Sequence, residues 1–165
     1  MKPLVALLMA SVALLAGGPE KSKPLRSELS TLEKAVNARL QAMFPNEPWL
    51  VLGFTRGMYV GGVGVIFSAE VNLVTGPTLM SVQQPSKEQI AALHDKRLSR
   101  LPKLRDTMSQ VLKDIAAVPA VGPEERVVFS VTVLRYPYET YTDVPSQIVV
   151  HAAKGKLATP KVEEY

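Results

Sequence analysis

From Tyr59 to Val74 the chain alternates in polarity with a period of two, and this stretch constrains the fold more tightly than any other. Tyr59, Val63, Val65, Phe67, Ala69, Val71 and Leu73 fall on one face, with Gly61 as the interruption. Val60, Gly62, Gly64, Ile66, Ser68, Glu70, Asn72 and Val74 fall on the other, which is mixed and partly polar. One apolar and one mixed face imply a strand in a sheet that is covered on one side only. A second β-rich run, from Trp49, precedes it, and the break at Arg56-Gly57-Met58 predicts a hairpin between the two.

Two helical patterns flank that hairpin in sequence. Leu25, Leu29, Leu32, Val36, Leu40 and Met43 recur at steps of three and four, ending at Pro45. Ser86 and Gln89 make a capping box for a second helical region, along which His94, Leu101, Met108 and Ile115 repeat every seven residues. Pro102 predicts a kink there or two helices in series. Two further alternating runs follow. Val127, Phe129, Val131 and Val133 form the apolar side of one, and Ile148, Val150 and Ala152 that of the other. The order helix, strand, strand, helix, strand, strand predicts an α+β domain. Two αββ units would form a four-stranded antiparallel sheet with both helices on one face. A single domain over 25–153 would follow a linker at 19–24, with a flexible tail at 154–165.

The address is written at the N-terminus. Lys2 followed by the apolar run Leu4 to Ala16 and small residues up to Gly18 predicts a signal peptide over residues 1–18, too short to span a bilayer. The chain has no cysteine, which excludes disulfides, thiol catalysis and thiolate metal sites. Export to the periplasm or the extracellular space as a soluble protein is the expectation. A net charge of +4 among 165 residues is well below the density of a nucleic-acid binder, so no nucleic-acid partner is expected.

The glycines of the long strand suggest a phosphate loop, but no Gly-Lys-Ser/Thr follows them and they sit within a strand. Glycine there marks a bulge, a twist or the close approach of another backbone or aromatic ring, and Gly62 and Gly64 are candidates for such an approach. Tyr59-x-x-Gly62-x-Gly64-Val65-x-Phe67, followed by Glu70, resembles a strand of uncharacterised bacterial exported proteins. That resemblance implies a location and attaches no activity.

Residues with possible chemistry are few. Ser68, Glu70, Ser130, Thr132 and His151 would share the mixed sheet face, which assembles hydrolase residue types without a nucleophile elbow or oxyanion donors. His94 lacks a ligand partner at metal-binding spacing and is expected on the packing face. Lys96, Arg100 and Lys103 form a basic stripe at i, i+4 and i+7 on the helix of 87–105, suited to anionic membrane or envelope polymers but more commonly a solvated face. Tyr136, Tyr138 and Tyr141 lie on a loop, where they could stack on a ligand or cover their own sheet.

These observations point to an exported, non-catalytic binding or assembly module of the cell envelope, needing no cofactor or metal, with an unknown protein or envelope component as partner. The alternatives are a peripheral binder of anionic surfaces through the basic helix, and a hydrolase using Glu70 and His151.

Overall fold

The structure, a computed structural model, describes residues 26–76, 85–117, 119 and 121–165. The expected signal peptide and linker, Leu25 and most of the loop before the second helix lie outside the described residues. Helix α1 (Arg26–Gln41) leads into β1 (Leu50–Val60) and β2 (Gly64–Asn72), followed by α2 (Lys87–Ala116), β3 (Arg126–Val133) and β4 (Gln147–Ala153). A short 3-10 turn and β5 (Lys161–Glu164) complete the chain.

The strands form one five-stranded sheet in the order β1-β2-β3-β4-β5. Neighbours are antiparallel except β2 and β3, which pair in parallel from Gly64 against Arg126 to Val71 against Val133. The fold is thus α+β as expected, but the all-antiparallel sheet of four strands and its two αββ units are corrected. The physical reason is the connection. A helix of 30 residues is about 45 Å long at 1.5 Å per residue, enough to carry the chain back to the end at which β2 began. The tail expected to be loose carries β5 instead, paired through Val150 and Val162.

The phases of the alternating runs hold. Val65, Phe67, Val71, Val127, Phe129, Val131, Ile148 and Val150 are buried on one face, against Leu29, Val36 and Leu40 of α1 and Leu104, Met108 and Ile115 of α2. Burial of large aliphatic and aromatic side chains is the main stabilising contribution, roughly 1.5–3 kcal/mol for each. Ser86 accepts from the Gln89 amide at 3.3 Å and its own amide donates to Gln89 Oε1 at 2.8 Å, so the capping box forms. Pro102 lies inside one continuous α2, at an exposed position where a lost helix hydrogen bond costs least.

The hairpin turn lies at 61–63, not at Arg56-Gly57-Met58. Gly62 has φ 77° and the Val63 amide donates to the Val60 carbonyl at 3.0 Å. Gly57 serves packing. A Cβ there would stand 2.6 Å from the Phe67 ring, so β1 runs straight past it. The real irregularity in β1 falls between Leu52 and Arg56, at Gly53 with φ 68°.

Candidate functional site

Both helices pack on the apolar face of the sheet, and the opposite face carries no helix among the described residues. Cross-strand register places Met58, Ile66, Val128, His151 and Lys161 side by side across all five strands of that face. The next row is Arg56, Ser68, Ser130, Val149 and Glu163, and beyond it stand Leu52, Glu70, Thr132 and Gln147. Ile66, Val128 and Val149 are half-buried by their neighbours alone, and Met58 is 51% exposed. The middle of this face is a flat, partly apolar surface.

Its two ends differ. At the Asn72 end the tyrosine loop closes in. The Tyr136 hydroxyl accepts from Asn72 Nδ2 at 2.8 Å and from the Gly76 amide at 3.0 Å, and the Tyr136 and Tyr138 rings stack 5.2 Å apart. Tyr141 stacks on His94 with centroids 3.9 Å apart, and His94 Nε2 lies 3.2 Å from Asp143. Glu139 of the same loop pairs with Arg97 of α2 and accepts from the Tyr136 amide at 2.7 Å. These tyrosines are held by their own chain. Burial raises the Tyr138 phenol above its ordinary range, with the charges of Tyr136 and Glu139 adding to it and Arg97 opposing.

At the opposite end, Arg126, His151, Ala152, Ala153, Lys156, Thr159 and Lys161 line a cavity of about 360 Å³. Gly64 sits at this end too, and a Cβ on it would lie 1.9 Å from the Arg126 carbonyl. The close approach expected at Gly64 is therefore the neighbouring strand. Gly62 has open space around its Cβ position and needs glycine for φ alone.

The serines, threonine, histidine and Glu70 do share one face, but not one site. Glu70 stands four residues along and two strands across from the His151 row, roughly 16 Å at the spacings of a sheet. His151 instead faces Glu163 at 3.1 Å, and Ser130 accepts from Gln147 Nε2 at 2.8 Å. Hydrogen bonds from the Tyr165 hydroxyl and from His151 hold the Glu163 carboxyl below its ordinary range. Among the described residues neither Ser68 nor Ser130 hydrogen-bonds to His151 or Glu70.

The basic stripe is not assembled either. Arg100 is only 4% exposed and donates to the Leu73 carbonyl, to the Pro48 carbonyl at 3.0 Å and to Glu47, with Phe44 under its guanidinium at 4.8 Å. Lys96 pairs with the same Glu47 at 3.2 Å. Lys103 lines a separate, mixed-charge cleft of about 490 Å³ with Arg39, Asp106 and Gln110. A long side chain at i+4 of an amphipathic helix turns inward when loop carbonyls wait for it, and spacing alone cannot reveal those carbonyls.

Two features escape sequence reasoning. Phe54, beside the bulge, is 77% exposed. Arg126 lies far in the chain from the close pair Lys156 and Lys161, and the three share one cavity only because β3, the turn after β4 and β5 converge. Among the described residues no group of three or more His, Asp or Glu side chains could hold a metal ion. Comparison with family models, with curated proteins and with solved structures yields no match to this chain.

Proposed function

We propose that the protein is an exported, non-catalytic binding module of the cell envelope, and that its contact surface for a partner protein is the face of the sheet opposite the helices. The observation that carries this is the register row Met58, Ile66 and Val128, an apolar strip in the middle of a mixed face that no described element covers. An apolar strip of this kind suits a protein surface better than a small molecule. His151 on it pairs with Glu163, but among the described residues neither Ser68 nor Ser130 hydrogen-bonds to that pair, as nucleophilic catalysis would require. The export part rests on the short apolar run after Lys2. No described helix is long and apolar enough to cross a membrane.

Capture from envelope extract with the wild type beside Ile66→Asp and Val128→Asp tests the surface. A partner retained by the wild type and lost from both charged variants, with melting temperatures little changed, supports the reading. Identical capture by all three overturns it. Intact mass of protein from its native host tests the address, since a mass that still includes Met1 to Ala16 is incompatible with a processed signal.

A further inference from the structure

The cavity at the Gly64 end of the sheet gathers cationic side chains with no carboxylate in its lining. Arg126 from β3, Lys156 from the 3-10 turn and Lys161 from β5 line a single concavity of about 360 Å³, together with the Thr159 hydroxyl and no carboxylate. Arg126 and Lys156 have no ion-pair or side-chain hydrogen-bond partner among the described residues. Glu163, the nearest acid in the register, is hydrogen-bonded to His151 at 3.1 Å and to the Tyr165 hydroxyl at 2.7 Å, and its charge also interacts with Lys161. Three like charges around one hollow repel each other, and that cost falls when an anion enters.

The backbone holds the hollow open. The Lys154 amide donates to the Glu125 carbonyl at 2.9 Å and the Gly155 amide to the Pro123 carbonyl at 2.8 Å, which pins the 3-10 turn beside the start of β3. Ala152 and Ala153 leave the floor without bulk. The volume lies at the lower end of small-molecule pockets, roughly 300–1,000 Å³.

We propose that this pocket binds a phosphate-type oxyanion, as a phosphate ester on a soluble compound or on a lipid head group. Arg126 offers the planar fork that matches two oxygens of such a group, Lys156 and Lys161 add point charges, and Thr159 adds a neutral donor. A dianion suits three converging cations better than a single carboxylate does. The site uses none of the apolar strip, so it stands or falls separately from the partner surface.

Calorimetric titration of the purified protein with inorganic phosphate at low ionic strength is the direct test. Wild type is expected to bind at millimolar phosphate or below, and Lys156→Ala with Lys161→Ala to weaken binding roughly ten- to hundredfold, as loss of charge-assisted hydrogen bonds implies. Lys103→Ala, on the far side of the molecule, should leave binding unchanged. Far-UV circular dichroism of the double variant confirms that the sheet persists. No detectable binding by wild type, or equal losses in the pocket and Lys103 variants, overturns the proposal. Flotation with phosphatidylglycerol and with phosphatidylcholine vesicles separates the sources. Pocket-dependent flotation with the anionic vesicles alone assigns a lipid phosphate, and phosphate binding without flotation assigns a soluble ester.

Discussion

Phe67 and Ser68 are adjacent in β2 and live in different media. Phe67 is fully buried beside Phe129, whereas Ser68 is exposed beside Ser130. Phe67→Ala should therefore cost about 3–5 kcal/mol, the transfer term plus an unfilled cavity. Ser68→Ala should stay within about 0.5 kcal/mol. Urea melts of the two variants check this, and equal losses would contradict the one-sided burial of the sheet. The same residue-scale logic separates the glycines, since Gly64 meets a backbone while Gly62 meets only a dihedral requirement.

Among the elements, the contact of α1 with β1 decides how an exposed sheet edge is handled. β1 is an edge strand of 11 residues, long enough to recruit another chain. Asn37 Oδ1 accepts from the Thr55 amide at 3.1 Å and Glu33 Oε1 from the Gly57 amide at 2.8 Å, so α1 occupies two donors that face away from β2. Arg26 holds Glu33 from the other side at 2.8 Å and donates to the Gly57 carbonyl at 3.2 Å. Burial pushes the Glu33 carboxyl up. The hydrogen bonds from Arg26 and Gly57 and the charges of Arg26 and Arg56 outweigh that, leaving it below its ordinary value of 4.5. A carboxyl lowered in the folded state contributes stability that is present above its unfolded value and lost as pH falls through its folded one. Glu33→Gln is expected to cost about 1–3 kcal/mol at neutral pH. The gap to wild type should narrow between neutral pH and acid, as pH falls through the lowered folded value and the carboxyl takes up its proton. Urea unfolding at the two pH values measures it, and a gap that stays constant would show that charge plays no part.

At the scale of the whole molecule, Arg97 and Glu139 tie α2 to the loop between β3 and β4. Arg97 is 1% exposed, and its Nε and Nη2 have no hydrogen-bond partner among the described residues. Its remaining contact is the Glu139 carboxylate. Glu139→Leu strands a buried cation and should destabilise by about 3–5 kcal/mol, whereas Arg97→Met combined with Glu139→Leu should recover most of the loss. Thermal melts of the single and double variants decide this. A single variant as stable as wild type would mean that the guanidinium reaches water. The tie explains why the tyrosine loop is fixed over Asn72 and Gly76.

Much of this architecture was legible in local pattern, because period and capping are local properties. The alternation of β2, β3 and β4, the stripe of α1 and the Ser86–Gln89 box all depend on residues within a few positions of each other, and each formed as its spacing implied. What the chain could not announce is how distant pieces meet. The parallel pairing of β2 with β3 follows from where α2 delivers the chain, and β5 forms because β4 offers a free edge to a tail whose own pattern, Lys161 to Glu164, is mostly charged. Arg100 looks like a surface cation until the Pro48 and Leu73 carbonyls stand over it. Arg126, Lys156 and Lys161 look like scattered charges until three elements bring them around one cavity. Sequence determined which faces are apolar, since that is a matter of side-chain chemistry at fixed backbone periods. Tertiary structure alone decided which polar groups share a place, because long-range contacts set the distances on which electrostatics and binding depend.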